Sequence, residues 1–199
     1  YEIGYKGLIA NKLLIDAYYY FNDFINFIGS QVLLKPSTAP GQFDTFSLPV
    51  NVSNSIKSNG WALGVDYSLP KNFTIGGNVA YNSLTNENEL PQGFLPQYNT
   101  PKYRYNVTLG NRELFKNFGF SAVWRYQDAY VWQSSFAGPA VQTANRSIIP
   151  SFSTLDAQFS YKVPSIKSVF KIGGSNILNQ GYVASWGNPT VGAMYYVSI

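Results

Sequence analysis

The chain has 199 residues, of which 17% are aromatic and only 12% are charged, about half the charged share of an average soluble domain. It contains no cysteine and no histidine, which excludes thiol nucleophiles, imidazole bases and the usual ligands of zinc and haem. Since a Gly-rich phosphate loop is missing as well, we expect no enzymatic activity and no cofactor. The net charge of +4 comes from scattered lysines and arginines without a basic run, so we expect no nucleic-acid partner.

Nine segments alternate apolar and polar residues with a period of two, the pattern of β-strands whose two faces meet different surroundings. In chain order they cover residues 1–8, 13–21, 61–69, 73–81, 103–111, 118–126, 155–163, 170–176 and 191–199. In the segment 103–111, Tyr103 and Val107 share the apolar face, whereas Arg104 and Asn106 lie on the opposite face. The charged residues of these segments stay off the apolar faces.

This alternation fits both a soluble β-sandwich and a transmembrane β-barrel, and three further features favour the barrel. Most segments alternate over about nine residues, close to the ~9–11 needed to cross a bilayer, whereas soluble strands average about five or six. Short connections at 9–12, 70–72, 111–117 and 164–168 alternate with long ones at 29–56, 85–101, 134–151 and 178–190. Aromatic residues crowd the ends of the apolar faces, as interfacial girdles require: Trp61, Tyr81, Tyr103, Tyr126 and Tyr161. The sequence therefore predicts an all-β chain that forms an antiparallel transmembrane β-barrel.

The strand count predicts that this barrel is larger than the chain. Outer-membrane barrels place short turns in the periplasm and long loops outside the cell, and single-chain bacterial barrels normally have an even number of strands. Nine strands, the first of which runs toward a short turn, do not satisfy this rule. An open nine-stranded sheet would also leave two unpaired edges in lipid, at a cost of several kcal/mol per unsatisfied group.

Five stretches follow one another in an order that is typical of one family. They are YEIGYKGLIANKLLIDAYYYFNDFINFI (1–28), SNGWALGVDYSL (58–69), NTPKYRYNVTLG (99–110), PSFSTLDAQFSYKV (150–163) and GGSNILNQGYV (173–183). Together they resemble the barrel strands of TonB-dependent outer-membrane receptors, in the style of receptors of the Bacteroidota. Ala62 stands where the family commonly has an acidic residue. The terminal MYYVSI is similar to the C-terminal signature of outer-membrane proteins, with Ile199 in place of the usual Phe.

This resemblance implies a 22-stranded barrel in the bacterial outer membrane, of which residues 1–199 are the C-terminal portion. The plug domain and the TonB box of the family are expected outside this chain. The implied function is TonB-energised uptake of a scarce nutrient, such as a ferric siderophore, a cobalamin-like cofactor, a glycan or a peptide. The implied partners are outer-membrane lipid, the remainder of the barrel, the plug, TonB acting through the plug and, in some receptors, a surface lipoprotein.

Two groups of residues are candidate sites. Aromatic residues of the long connections are candidates for ligand binding or, alternatively, for packing the loops: Trp132, Phe136, Tyr182 and Trp186. Charged residues on the polar faces are candidates for contact with the plug or, alternatively, for ion pairing within the wall: Asp16, Asp66, Arg104, Arg125, Asp156, Lys162 and Lys171. For Glu87 and Glu89 a solvated loop is favoured over a calcium site, so no metal site is predicted.

Two other functions remain open from the sequence. A passive porin-like or structural barrel would share the lipid-facing pattern but would lack a plug. A soluble β-sandwich binding module would share the alternation without needing long strands.

Overall fold

The computed structural model describes residues 1–52, 54–134 and 146–199. Along these residues the chain forms fourteen strands: β1 (Glu2–Ile9), β2 (Leu13–Phe24), β3 (Ile28–Pro36), β4 (Phe43–Asn51), β5 (Ile56–Ser68), β6 (Phe73–Leu84), β7 (Phe94–Leu95), β8 (Tyr103–Phe115), β9 (Phe118–Gln127), β10 (Tyr130–Gln133), β11 (Arg146–Ile149), β12 (Phe152–Val163), β13 (Ser168–Ser175) and β14 (Met194–Ser198). Within the described ranges, no helix is long and apolar enough to cross a membrane.

Nine strands form one antiparallel sheet in the order β1-β2-β5-β6-β8-β9-β12-β13-β14, and each corresponds to one predicted segment. β5 and β8 have 13 residues each, and β2, β6 and β12 have 12, which is long enough to cross a bilayer with tilt. Short connections meet at one end of this sheet, the turn end, and long connections meet at the other, the loop end. The predicted antiparallel, up-and-down strand arrangement is confirmed.

The pairing register keeps two chemically different faces separate across the sheet. Tyr19, Trp61, Tyr81 and Tyr103 oppose one another on four neighbouring strands. On the other face, Asn78 opposes Asn106, which in turn opposes Arg125. Because side chains alternate along a strand, such a register leaves one apolar face and one polar face.

The apolar face has two belts of aromatic rings with aliphatic side chains between them. The belt nearer the loop end contains Trp61, Tyr81, Tyr103, Tyr105 and Tyr126, with centroid distances from 4.7 to 6.2 Å. The belt nearer the turn end contains Phe73, Phe115, Phe118, Phe120 and Phe159, with centroid distances from 4.5 to 6.3 Å. Between the belts, Val107 is 46% exposed and Ile75 is 43% exposed. An exposed aliphatic band between two aromatic girdles is the surface of a barrel that faces lipid.

The long connections contain ordered strands where the sequence indicated loops only. β3 pairs with β4 and with β7 in a three-stranded sheet, and β10 pairs with β11. Val52 after β4, Ile56 at the start of β5 and Phe94 on β7 form a buried hydrophobic cluster, with Leu84 at the end of β6 packed against it. The sequence does not predict these strands, because stretches such as QVLL at 31–34 lack a period of two.

Two predicted boundaries are wrong. The connection predicted at 111–117 is shorter, because β8 continues past a register shift between Asn111 and Phe115 and the turn follows at 116–117. The last strand begins at Met194 and not at 191, since Val191 instead forms an isolated bridge with Tyr182. A simple period of two does not reveal a bulge, which adds residues to one strand only.

Candidate functional site

The middle of the polar face carries small side chains. On β5 and β6 they are Gly60, Ala62, Gly64, Gly76, Asn78 and Ala80. A Cβ atom on Gly64 would lie 3.6 Å from its nearest neighbour, the backbone oxygen of Asp16, so a side chain fits there without moving the strands. On Gly60, in contrast, a Cβ atom would lie 2.6 Å from the ring of Tyr20. The fold therefore does not require glycine at position 64. Because no side chain covers the sheet there, the surface is bare and another protein domain can approach the backbone closely.

The register places all seven charged candidate residues on the polar face: Asp16, Asp66, Arg104, Arg125, Asp156, Lys162 and Lys171. Two ion pairs form within this wall. Lys6 Nζ lies 2.8 Å from Asp16 Oδ2, and the guanidinium of Arg125 pairs with the carboxylate of Asp156. Among the residues that the structure describes, the other four candidates form no ion pair. Ion pairing thus accounts for three of the seven, and the rest can meet another partner.

The seven charges form two groups at different heights. Arg104 is the second residue of β8 and Arg125 is the third from the end of β9, so both lie at the loop end together with Asp156. The other four lie in the half of the sheet nearer the turn end: Asp16, Asp66, Lys162 and Lys171. Sequence parity places these residues on one face, but only the register brings the arginines together.

The loop-end group lines a concavity of about 760 Å³ between the sheet and the last long connection. Arg104, Arg125 and Asp156 form its charged side. The ring of Phe152 stacks on the ring of Tyr182, with centroids 4.1 Å apart and planes 16° apart. Phe152 was not singled out in the sequence, although its parity with Asp156 puts it on the polar face. Among the loop-aromatic candidates that the structure describes, Tyr182 alone lines this concavity.

The two other described loop aromatics, Trp132 and Trp186, make no ring contact with Tyr182 within the described residues. Trp132 lies on β10 beside Tyr130, with ring centroids 6.5 Å apart. Trp186 is 52% exposed, and Phe136 lies outside the described residues. The hydroxyl of Tyr130 donates a hydrogen bond to the backbone oxygen of Ala184 at 2.7 Å, which ties β10 to the last connection. A ligand role for the four loop aromatics stays a prediction.

A second concavity of about 310 Å³ lies among the connections at the loop end, lined by residues that include Tyr98, Lys102 and Tyr130. Beside it, Tyr20 donates a hydrogen bond to Asn82 Oδ1 at 2.7 Å. Burial raises the pKa of Tyr98 well above its usual range, and a hydrogen bond with Tyr20 raises it further. Burial also raises the pKa of Tyr130. The positive charge of Arg104 lowers the pKa of both phenols and so opposes these shifts, which shows that its guanidinium is close enough to Tyr98 and Tyr130 to interact with them electrostatically.

Three of the long connections are joined by hydrogen bonds around Gln133. The side chain of Asn99 donates to the backbone oxygen of Gln133 at 2.9 Å and accepts from its backbone N–H at 2.7 Å. The side-chain oxygen of Gln133 accepts from the backbone N–H of Gln97 at 2.8 Å, and the Gln97 amide reaches Ser30 Oγ at 3.2 Å. Gln133 is 6% exposed, so these bonds are shielded from water. The connections therefore form one hydrogen-bonded rim.

Glu87 and Glu89 lie on a single 3₁₀ turn, Glu87–Glu89, in the connection between β6 and β7. In the part of the chain that the structure describes, no three acidic side chains come together as a metal site. The backbone oxygen of Glu89 accepts a hydrogen bond from Asn54 at 2.8 Å. This turn therefore serves the packing of the rim.

An antiparallel sheet with a lipid-type apolar face, two aromatic girdles and a charged polar face defines the wall of an outer-membrane β-barrel. Residues 1–179 match the family described as TonB dependent receptor-like, beta-barrel, and the chain belongs to this family. Proteins of this family are located in the outer membrane of Gram-negative bacteria, and so is this chain. The prediction of family and location is confirmed. No curated protein matches the sequence significantly.

Solved structures show the same fold. The chain is similar to the copper transporter OprC, with 19% identity and a TM-score of 0.67 over 98% of this chain. It is similar to the FrpB iron transporter from Neisseria meningitidis, with 18% identity and a TM-score of 0.67 over 98% of this chain. It is also similar to a variant of the ferric enterobactin receptor PfeA from Pseudomonas aeruginosa, with 15% identity and a TM-score of 0.66 over 98% of this chain. The chain spans 30%, 30% and 29% of these three proteins' own lengths.

Proposed function

We propose that residues 1–199 form the C-terminal wall of a TonB-dependent receptor that takes up a scarce nutrient across the outer membrane. The observation that carries this proposal is the polar face, which combines a bare central surface with three turn-end charges, Asp66, Lys162 and Lys171, that have no ion-pair partner among the described residues. A plug domain supplied by the rest of the protein packs against this surface. TonB acts on the receptor through that plug, and the protein transports its ligand without transforming it.

Two open edges support the view that this wall belongs to a larger barrel. Within the described residues, β1 pairs only with β2, and β14 pairs only with β13. Unpaired backbone groups in lipid cost several kcal/mol each, so further strands of the same protein cover both edges. The chain spans 30% of the length of OprC, so a protein of that length has room for further strands.

The turn-end charges are placed for contact with the plug. Asp66 lies two residues from Gly64 on β5, toward the short turns, and Lys162 and Lys171 lie in the same half of the sheet on β12 and β13, four and five strands away. Carboxylates and ammonium groups on a plug surface would pair with them inside a water-filled lumen. Transported nutrients of this class include ferric siderophores, cobalamin-like cofactors, glycans and peptides, and a surface lipoprotein is a further partner for receptors that take large ligands.

Single cysteines test the plug proposal, since residues 1–199 contain none. Gly64→Cys points into the lumen, and Leu63→Cys, its neighbour, points into lipid. In the full-length receptor we expect Gly64→Cys to resist a water-soluble maleimide and to react once the plug is deleted, whereas Leu63→Cys stays unreactive in both. Equal labelling of Gly64→Cys with and without the N-terminal part of the receptor would instead identify a passive, porin-like barrel.

A further inference from the structure

We propose that Arg104 and Arg125 form a binding site for the anionic group of a ring-containing ligand, in the loop half of the lumen. This inference rests on the proposed uptake function and names the class of ligand that it would take. The two guanidinium groups lie on neighbouring strands, since Arg125 opposes Asn106, two residues along β8 from Arg104. The Cα atoms of diagonal neighbours of this kind are about 7–8 Å apart, and both arginines line the same concavity, so one ligand can reach both side chains.

The charges of this site are not balanced within the wall. Asp156 is one carboxylate beside two guanidinium groups, and it pairs with Arg125 only. Arg104 is exposed and has no carboxylate partner among the residues that the structure describes. A guanidinium group presents a planar fork of donors that matches a carboxylate, so the surplus positive charge selects an anion.

Asp156 acts as a positioning residue for this site. Its carboxylate accepts the backbone N–H of Asn176 at 2.9 Å while it holds Arg125, so the guanidinium is fixed between β9 and β12. The side chain of Asp156 is 18% exposed and that of Arg125 is 50% exposed. The carboxylate is therefore shielded, whereas the guanidinium keeps donors that face the concavity.

The rings of Phe152 and Tyr182 define the second part of the site. They stack on each other at the edge of the same 760 Å³ concavity, and both are half-buried. Amide side chains of Asn78 and Asn106 line the wall below. An aromatic pair beside two guanidinium groups favours a planar ring that carries negative charge, because the ring stacks while its anionic group pairs.

The height of this site favours a ligand over the plug as its occupant. Arg104 and Arg125 lie at the loop end, and the last connection contributes Tyr182, Val191 and Gly192 to the lining. A ligand that arrives from outside the cell meets this end first. The unpaired charges Lys162 and Lys171 lie at the opposite end, where the short turns are.

The test uses the purified full-length receptor in detergent and trimesate, a planar aromatic tricarboxylate, as the probe. Titration calorimetry measures its binding, with the uncharged trimethyl ester of trimesate as the matched ligand control. We expect saturable binding of trimesate that weakens as salt rises, and no binding of the ester. Arg104→Gln and Arg125→Gln should each weaken binding by about tenfold or more. Lys116→Gln removes one positive charge from the exposed turn between β8 and β9, at the other end of the same two strands, and should change affinity by less than about twofold.

The proposal is overturned if trimesate does not bind saturably, if the ester binds as tightly, or if Lys116→Gln has the same effect as the arginine variants. The proposal is also overturned if trimesate binds the receptor after the plug is deleted but does not bind the full-length receptor. That result would mean that the plug, and not a ligand, occupies the site. Retained resistance of the folded variants to unfolding by SDS shows that lost binding is not lost folding. Since this measurement needs neither TonB nor transport, its failure is distinct from a failure of the cysteine-labelling test of the plug.

Discussion

The carboxylate of Asp156 in β12 accepts a hydrogen bond from the backbone N–H of Asn176, 2.9 Å away, where the last long connection leaves β13. The side chain of Asn176 then closes the connection on itself, donating to the backbone oxygen of Gln180 at 2.8 Å and accepting its N–H at 3.1 Å. This contact joins two of the stretches that resemble the receptor family, PSFSTLDAQFSYKV and GGSNILNQGYV. Their joint occurrence in the sequence therefore has a structural cause.

Replacing Asp156 separates its two roles. Asp156→Asn keeps an oxygen for the Asn176 N–H but loses the ion pair with half-exposed Arg125, so we expect a loss of about 0–1 kcal/mol in the free energy of unfolding. Asp156→Ala also leaves the backbone N–H without its acceptor, and we expect a loss of about 1–3 kcal/mol. Folding titrations of the full-length receptor in lipid vesicles measure both. Equal losses for the two variants would show that the hydrogen bond to Asn176 contributes nothing.

Val107 lies in the middle of the apolar face, opposite Gly77 on one side and Trp124 on the other. Because this position faces the bilayer midplane, Val107→Arg should destabilise the barrel by roughly 2–4 kcal/mol. Asn106→Arg places the same charge on the polar face, where water solvates it, and should cost much less. The same vesicle titrations measure both.

Depth dependence separates lipid exposure from ordinary packing. Arg at Tyr103, in the loop-side aromatic belt, and Arg at Leu109, nearer the turn end, should each cost less than at Val107, falling toward ~0–1 kcal/mol at the interfaces. A packed protein core would impose no symmetric decline toward both ends of the strand. Equal penalties at Tyr103, Val107 and Leu109 would contradict a membrane-spanning β8.

Asn99 holds the rim of connections together through its two hydrogen bonds to the backbone of Gln133. Asn99→Ala leaves these shielded backbone groups without partners, so we expect the amide of Gln133 to exchange its hydrogen at least about tenfold faster, the factor given by ~1.4 kcal/mol. Hydrogen-exchange mass spectrometry of the full-length receptor measures the rate. Asn188→Ala is the matched control, since Asn188 bonds only to nearby Ser185 in an exposed turn. Exchange at Gln133 that is no faster than in the control would refute a joined rim.

The phenol of Tyr98 gives the rim a pH dependence. Burial and the hydrogen bond with Tyr20 raise its pKa above the ordinary value of 10.0, so the folded state keeps the proton longer than the unfolded state. Its contribution to stability is complete below pH 10.0 and is lost as pH rises further. We expect hydrogen exchange at Gln97 and Asn99, corrected for intrinsic rates, to show a loss of protection above about pH 10 in the wild type but not in Tyr98→Phe. Identical pH profiles would exclude this role.

The sequence predicted the nine strands because lipid and water act on alternate residues, which imposes a period of two on every spanning strand. The same parity placed Arg104 and Lys171 on the polar face correctly. It could not place them at a given height relative to other strands, because height depends on register, and register depends on turns and bulges such as the one between Asn111 and Phe115. That Arg104 and Arg125 are diagonal neighbours on adjacent strands could therefore be seen only in the structure.

The strand pairing and the hydrogen-bond partners within the rim could not be predicted from the sequence, for a different physical reason. β3 ends at Pro36 and β7 begins 58 positions later at Phe94, and no local sequence pattern predicts their pairing. The hub residue Gln133 uses backbone and amide groups, whose partners are fixed by tertiary position alone. Trp132, in contrast, is a candidate for ligand binding because it has a large ring in a long connection. In the structure its ring packs against that of Tyr130 on β10.

The hairpin of β3 and β4 ends in a tip at residues 37–42, closed by a hydrogen bond from the Ser37 N–H to the Gln42 oxygen at 2.9 Å, with Gly41 at φ +79°. Nine residue pairs hold its two strands together, and β3 is held to β7 as well. A protease outside the cell that cuts this tip would therefore leave both new chain ends anchored in the same sheet. The clipped receptor would stay assembled, and the tip is a place where an epitope tag can be inserted for surface detection on living cells.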